Sequence, residues 1–160
     1  MPAADPGSLR VRDAMTVHAA TVAPDDTVAR AVEIMNDSHV AALPVVDEAD
    51  RCRGILSASD ILTLAEERGA RIEQMATTDG LARELLLEHF DKVDLSDTLV
   101  TDLMTPTPLQ TSPDTALAEA ARTMIDRGVH HIVVAERRDR FLGILSSMDI
   151  VRAVAEGGGR

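Results

Sequence analysis

Two short stretches of the chain carry side chains that could recognise a sugar and a phosphate. Residues 54–60 are GILSASD and residues 143–149 are GILSSMD, so that a serine follows the glycine by three positions and an aspartate follows the serine by three. Serine hydroxyls donate hydrogen bonds to phosphate oxygens, and a carboxylate accepts them from the two neighbouring hydroxyls of a ribose. If each stretch closes a strand and opens a helix, the free N–H groups of the first helical turn add a site for an anion.

A structural role explains the same residues. Aspartate at a helix start is favoured as an N-cap, which is worth about 1 kcal/mol without any ligand. A duplication would copy such a cap as faithfully as it copies a binding site. Gly54 and Gly143, which lack side chains, permit the close approach of a ligand or of another backbone. The motif alone therefore leaves ligand binding and helix capping open.

The motif belongs to a longer internal repeat. At an offset of 89 residues, residues 11–66 align without a gap on residues 100–155, and 20 of these 56 positions are identical. The matches include Asp13, Met15 and Thr16, which correspond to Asp102, Met104 and Thr105. Two copies of this length favour paired domains over a solenoid, which needs three or more short units.

Each copy predicts the same order of elements. Apolar residues at helical spacing predict an amphipathic helix after Pro24-Asp25 and after Pro113-Asp114; they are Val28, Ala31, Val32 and Met35 in the first copy and Leu117, Ala120, Ala121 and Met124 in the second. Short apolar runs predict buried strands at 42–46 and 131–135, and second strands at 53–56 and 142–145. Residues 21–23 and 110–112 are predicted as first strands, and the last helices as beginning at Asp60 and Asp149.

The predicted fold class is therefore α/β, with two β-α-β-β-α units packed as a pseudo-two-fold tandem module. The expected boundaries are a disordered N-terminus at 1–8, a first unit at 9–66, a linker at 67–97, a second unit at 98–156 and a disordered tail at 157–160. Within the linker, Leu81, Leu85, Phe90 and Val93 suggest an amphipathic helix after a cap at residues 77–80. This helix would pack on the module, or Leu85, Leu86 and Leu87 would contribute to a subunit contact.

Composition argues against several classes of protein. The net charge of −11 and the absence of Trp and Tyr disfavour a nucleic-acid binder, which needs a basic face and stacking platforms. No apolar run approaches the length of a membrane span, and the first ten residues have no apolar core typical of a signal peptide. The single cysteine, Cys52, implies no internal disulfide. We therefore expect a cytoplasmic protein without nucleic-acid or membrane partners.

The Gly-Ile-Leu-Ser-x-x-Asp pattern, preceded by Leu-Pro-Val-Val-Asp at 43–47 and an Asp-x-Met-Thr opening at 13–16, resembles the CBS domain. Two such units in tandem resemble a Bateman module, and the resemblance covers about residues 9–66 and 98–156. It implies two clefts between the repeats that bind adenosine nucleotides or related adenosyl ligands. It also implies a homodimer of such pairs, and regulation rather than catalysis.

The resemblance further implies which residues form the two sites. The motif aspartate of one repeat would hold the ribose, its serines would lie near ribose and phosphate, and the threonine of the other repeat would complete the cleft. One site would contain Asp149, Ser146, Ser147 and Thr16, and the other Asp60, Ser57, Ser59 and Thr105. The adenine would lie against the apolar residues Val40, Leu43, Ile55, Val129, Ile132 and Ile144.

The two sites are expected to differ. In the family, basic residues just before the second strand often face the phosphates, and this chain has His130 and His131 there in the second repeat but Ala41 and Ala42 in the first. Imidazoles donate hydrogen bonds and add attraction when charged. We therefore expect a phosphorylated ligand in the Asp149 site, whereas the Asp60 site would be empty or take a less charged adenosyl ligand.

The predicted function is a regulatory module that binds an adenine nucleotide such as AMP, ADP or ATP, with Mg²⁺ as an optional companion of the phosphates. No other cofactor is required, and the regulated protein is expected to be a separate chain. The five histidines form no recognised metal-binding spacing, and no GxSxG nucleophile motif occurs, so neither a metal site nor catalysis is expected. Two alternatives stay open, a ligand-free scaffold for a separate enzyme or transporter, and an enzyme that turns over nucleotides.

Overall fold

The computed structural model describes residues 6–68, 84–85 and 94–157. It is a mixed α/β structure, as predicted. Its helices and strands, numbered in chain order, are α1 (Val11–Ala14), α2 (Val28–Ser38), β1 (Ala42–Val46), β2 (Cys52–Ser57), α3 (Ala58–Glu67), α4 (Val100–Leu103), β3 (Thr105–Pro106), β4 (Gln110–Thr111), α5 (Leu117–Arg127), β5 (His131–Glu136), β6 (Arg140–Ser146) and α6 (Ser147–Ala155). Short 3-10 turns occur at Pro6–Ser8 and Arg137–Asp139. None of the helices in this described part is both long and apolar enough to cross a membrane.

The chain divides into two compact units, each of which combines parts of both repeats. Unit 1 consists of Met1–Ala19, Asp50–Cys52 and Pro108–Arg160, and unit 2 of Ala20–Ala49 and Arg53–Thr107. The Asp-x-Met-Thr segment of each repeat therefore folds with the body of the other repeat. This exchange places Thr16 in unit 1, with Asp149, and Thr105 in unit 2, with Asp60.

Each unit contains a three-stranded sheet. The strand order is β1-β2-β3 in one sheet and β4-β5-β6 in the other. In unit 2, β3 lies antiparallel to β2, and Val22 adds a parallel bridge to Val45. In unit 1, β4 is parallel and β6 antiparallel to β5, and Thr16 adds an antiparallel bridge to Ile144. The predicted first strand at 21–23 is thus reduced to a single bridge.

The helical stripes that periodicity predicted form the cores of the units. In α2, Val28, Ala31, Val32 and Met35 are at most 1% exposed, and in α5, Leu117, Ala120 and Met124 are at most 4% exposed. The α2 stripe packs with Leu43, Val45 and Leu56 of its sheet, and the α5 stripe with Ile132, Val134 and Leu145. The prediction of two amphipathic helices on apolar strands is confirmed.

Some predicted boundaries need correction. α2 begins at Val28 rather than next to Pro24-Asp25, because Thr27 caps it by accepting a hydrogen bond from the Arg30 N–H at 3.1 Å. Residues 6–8, predicted as disordered, form a 3-10 turn next to the buried Leu9. Residues 84–85 of the predicted linker helix are helical, and Leu85 packs against the unit 2 core. The rest of that prediction, with Leu86 and Leu87, lies outside the described residues.

Candidate functional site

The repeated Ser-x-x-Asp motif forms the same capping box in both units. The Ser146 hydroxyl accepts a hydrogen bond from the Asp149 N–H at 3.0 Å, and Asp149 Oδ2 accepts one from the Ser146 N–H at 2.9 Å. Ser57 and Asp60 do the same at 3.2 and 3.0 Å. The serine is therefore the N-cap, and α3 and α6 begin two residues before the aspartates, which corrects the predicted starts.

The carboxylate of Asp149 is fixed in place by its surroundings. Asp149 is 8% exposed and is the one polar or charged residue classed as buried in the described part of the chain. A buried carboxylate is costly unless it has partners. Oδ2 takes the Ser146 N–H, and Oδ1 lies 3.4 Å from Arg152 Nη1. The cap therefore holds this carboxylate in one orientation and leaves acceptor capacity on Oδ1.

The motif glycines allow the exchanged threonine segments to approach. Thr16 and Ile144 exchange two backbone hydrogen bonds, at 2.9 and 3.1 Å. A Cβ on Gly143 would overlap the Thr16 carbonyl oxygen, and a Cβ on Gly54 would lie 2.7 Å from the Thr105 carbonyl oxygen. At Gly143 the close neighbour is therefore backbone, whereas at Gly54 the Met104 sulfur lies as close as the Thr105 carbonyl oxygen, at 2.7 Å.

A groove of about 500 Å³ in unit 1 brings two of the predicted site residues together. It is lined by residues 12–18 and by Asp149, Arg152, Ala153 and Glu156. Thr16 is exposed in this groove, whose lining also includes the buried Asp149. Sequence reasoning did not single out Arg12, His18 or Arg152 for the site, although at the repeat offset each of these basic residues corresponds to a threonine.

Other predicted residues of this site lie elsewhere in unit 1. Val129, His130 and Ser147 line a mainly apolar hollow of about 330 Å³ together with Ile150. The Ser147 N–H donates to the His130 carbonyl oxygen at 2.9 Å. His131 is paired with Ser146 in the register of β5 and β6. None of Val129, His130, His131 and Ser147 lines the Thr16–Asp149 groove.

The candidate adenine contacts divide by burial. Leu43 and Ile132 are 0% and 1% exposed and belong to the hydrophobic cores, so they offer almost no surface to a ligand. The other four, Val40, Ile55, Val129 and Ile144, are partly exposed. Ile55 and Ile144 are also the strand partners of Thr105 and Thr16.

The corresponding site of unit 2 combines Asp60, Ser57 and Thr105. Thr105 is exposed and paired with Ile55, two residues before the Ser57 cap. Asp60 is half-buried, and Ser59 is exposed on the first turn of α3. The counterpart of Arg152 here is Thr63, whose hydroxyl donates to the Ser59 carbonyl oxygen at 3.0 Å. The two sites thus share the cap, the strand pairing and the threonine, and they differ in the residue beside the carboxylate.

The residues within the described ranges contain no group of three or more His, Cys, Asp or Glu side chains placed to hold a metal ion. Cys52, the single cysteine of the chain, is buried against Val133, Ala135 and Phe141.

Known proteins resemble this chain in sequence and in fold. The chain is 27% and 28% identical over 144 residues to the chloroplastic CBS domain-containing proteins CBSX1 and CBSX2 of Arabidopsis thaliana. These matches cover 84% of this chain but 58% of each relative, so the chain spans little more than half of their length. A crystal structure of CBSX2 in complex with AMP superposes with a TM-score of 0.71 at 28% identity, over 93% of this chain and 98% of that one.

A more distant structure shares the fold. The CBS domain pair of protein MJ0100, in complex with 5′-methylthioadenosine and S-adenosyl-L-methionine, has a TM-score of 0.71 at 18% identity, over 92% of this chain and 96% of that one. The family model for the CBS domain matches twice, at residues 11–67 and 100–156. The chain belongs to the CBS domain family and carries two CBS domains in tandem.

Proposed function

We propose that the chain is a regulatory module that binds an adenosine-type ligand such as AMP, with the ribose on the carboxylate of Asp149. The observation that carries the proposal is the buried, capped carboxylate of Asp149 in a groove that also presents Thr16. The AMP complex of CBSX2, at 28% identity, supports the choice of ligand. An equivalent ribose site on Asp60, with Ser57 and Thr105, follows from the repeat.

The proposed ribose contact uses acceptor capacity that the cap leaves over. A carboxylate has about four lone-pair sites, and the Ser146 N–H occupies one of them. The 2′ and 3′ hydroxyls of a ribose are two adjacent donors that match the remaining sites. Because the carboxylate is already buried and oriented, ligand binding requires little reorganisation of it. Because neither Ile144 nor Val129 lines the Thr16–Asp149 groove, the adenine would rest there on apolar side chains that do, such as Met15 and Val17. In the second site it would rest on the partly exposed Ile55 and Val40.

Regulation requires that the ligand bind two states of the protein unequally. A dimer would provide the second state. The helix α6 carries three exposed apolar side chains that suit such a contact: Met148, Val151 and Val154 are 62%, 56% and 57% exposed. We propose that these exposed apolar side chains pack against a second copy in a homodimer. The same proposal includes a separate regulated protein, the absence of catalysis and a cytoplasmic location. It also includes Mg²⁺ as an optional companion of the phosphates.

A thermal-shift experiment tests the ligand class. AMP at one hundred times its dissociation constant should stabilise the folded chain by about 2.7 kcal/mol, which corresponds to a rise in Tm of roughly 5–10 °C for a chain of this size. ADP, ATP and S-adenosylmethionine are compared with AMP, and GMP is the control for the base. Since the chain has no Trp or Tyr, any co-purified nucleotide is visible directly in its ultraviolet spectrum and can be removed first.

The double variant Asp60→Asn/Asp149→Asn serves as the matched control and should show no shift with AMP. A nucleotide-free wild-type sample that no adenosine compound stabilises would contradict the proposal. It would favour the alternative of a scaffold whose clefts bind no ligand, and the search would turn to protein partners. Consumption of a nucleotide during incubation would instead favour an enzyme.

A further inference from the structure

We propose that the Thr16–Asp149 groove selects a phosphorylated adenosine ligand through Arg152, with help from Arg12 and His18, whereas the Asp60 site has no such selection. The inference rests on the proposed function and adds the charge of the ligand at each site. It also assigns the phosphate contact to residues other than the histidines His130 and His131, which do not line this groove.

The argument begins with the difference between the two repeats. Every basic residue that lines the groove corresponds to a threonine at the 89-residue offset: Arg12 to Thr101, His18 to Thr107 and Arg152 to Thr63. The acidic residues correspond to acidic residues: Asp13 to Asp102, Asp149 to Asp60 and Glu156 to Glu67. The repeats therefore keep the same negative charges at these positions, and only unit 1 adds positive ones.

Arg152 is the best placed of the three basic residues. Its Nη1 is 3.4 Å from Asp149 Oδ1, which is long for a charge-assisted hydrogen bond. That contact engages one of five guanidinium N–H groups, and the side chain is 51% exposed. The guanidinium can therefore turn to a phosphate while the ribose takes Asp149. A guanidinium forks onto phosphate oxygens with two parallel hydrogen bonds, which an uncharged nucleoside cannot accept.

Arg12 and His18 have supporting roles. Arg12 forms an ion pair with Asp114 through exposed side chains, so part of its charge is already balanced. His18 is exposed in the groove and can donate a hydrogen bond to a phosphate oxygen. Because Asp13 and Glu156 also line the groove, its selectivity cannot come from a general positive field. It has to come from direct contacts, chiefly those of Arg152.

Unit 2 offers no equivalent at the aligned positions. Arg68 follows α3, but its guanidinium contacts Asp97 Oδ1 at 2.8 Å and Thr98 Oγ1 at 2.6 Å. Its hydrogen bond is the main reason that the pKa of Asp97 lies below its ordinary value. Arg68 is thus committed to the segment that precedes α4, and Thr63 to the backbone of α3. The Asp60 site therefore suits a ligand with little or no negative charge.

A reciprocal exchange between the repeats tests the inference by calorimetric titration with AMP and with adenosine. With the second site silenced by Asp60→Asn, Arg152→Thr should weaken the affinity for AMP by about 10-fold or more, because a charge-assisted contact is lost. The affinity for adenosine should change by less than about 3-fold. With the first site silenced by Asp149→Asn, Thr63→Arg should raise the affinity for AMP but not the affinity for adenosine. Arg122→Thr, which removes the same charge from exposed α5, is the control for net charge.

The outcomes separate this inference from the proposed function. Equal weakening of AMP and adenosine in Arg152→Thr would overturn it, because Arg152 would then only position Asp149. It would also be overturned if His130→Ala, the exchange to its counterpart Ala41, removed the preference for AMP while Arg152→Thr kept it. Failure of both ligands to bind the wild-type chain would overturn the proposed function and the phosphate assignment together.

Discussion

Replacement of Gly143 by alanine is expected to lower the free energy of unfolding by about 2–4 kcal/mol, from overpacking and the loss of backbone hydrogen bonds. The new Cβ would overlap the Thr16 carbonyl oxygen and lie 3.3 Å from the Val17 Cα. Both neighbours are backbone atoms, so no side chain can turn aside. The Thr16 segment would have to move and give up its two hydrogen bonds to Ile144. Urea unfolding followed by circular dichroism measures the loss.

Gly128→Ala is the control for this prediction. Gly128 has a φ of +62°, and a Cβ there would meet nothing within 4 Å. Its replacement should cost only the left-handed backbone strain, about 1 kcal/mol. If Gly143→Ala cost no more than Gly128→Ala, the tight approach of the Thr16 segment to β6 would be wrong. The exchange of N-terminal segments between the repeats would then need another basis.

Replacement of Asp149 by asparagine is expected to weaken AMP binding by about 100-fold, since two hydrogen bonds from the ribose to a charged acceptor are lost or weakened. Asparagine keeps one side-chain oxygen, which can still accept from the Ser146 N–H and preserve the helix cap. The free energy of unfolding should therefore change far less than the affinity. Calorimetric titration of the Asp60→Asn chain, with and without Asp149→Asn, gives the affinity ratio, and urea unfolding gives the stability.

Thr27→Ala separates the loss of a cap from the loss of a ligand contact. Thr27 caps α2 through its hydrogen bond with Arg30, and removing it should cost about 1 kcal/mol of stability. AMP binding should persist in this variant. If Asp149→Asn bound AMP as tightly as its parent, the carboxylate would be a helix cap and nothing more.

Periodicity was sufficient to predict the elements around the site. The strand at 42–46 and the stripe of Val28, Ala31, Val32 and Met35 are found as predicted, because an apolar face has only one core to cover. Helix starts were less predictable. Serine and aspartate both favour the first turn of a helix, and the capping box decides between them only when both hydrogen bonds form.

The site itself depended on information that periodicity does not contain. Whether Thr16 folds with its own repeat or with the other is a question of topology, and the family resemblance, not the residue pattern, suggested the answer. Leu43 and Ile132 were plausible adenine contacts because they are apolar. Yet β1 and β5 are buried along most of their length, so an apolar residue there can belong to the core. Arg152 could have been found by comparing charge between the repeats.

A crystal structure of the nucleotide-free chain soaked with AMP tests the central claim most directly. The account predicts that the ribose 2′ and 3′ hydroxyls lie within hydrogen-bond distance of the Asp149 carboxylate, with the Ser146 cap intact. Hydrogen bonds between N–H or O–H donors and oxygen in proteins span about 2.5–3.2 Å, which sets the criterion. AMP bound away from both Asp149 and Asp60, or no AMP at a concentration that saturates the chain in solution, would contradict it.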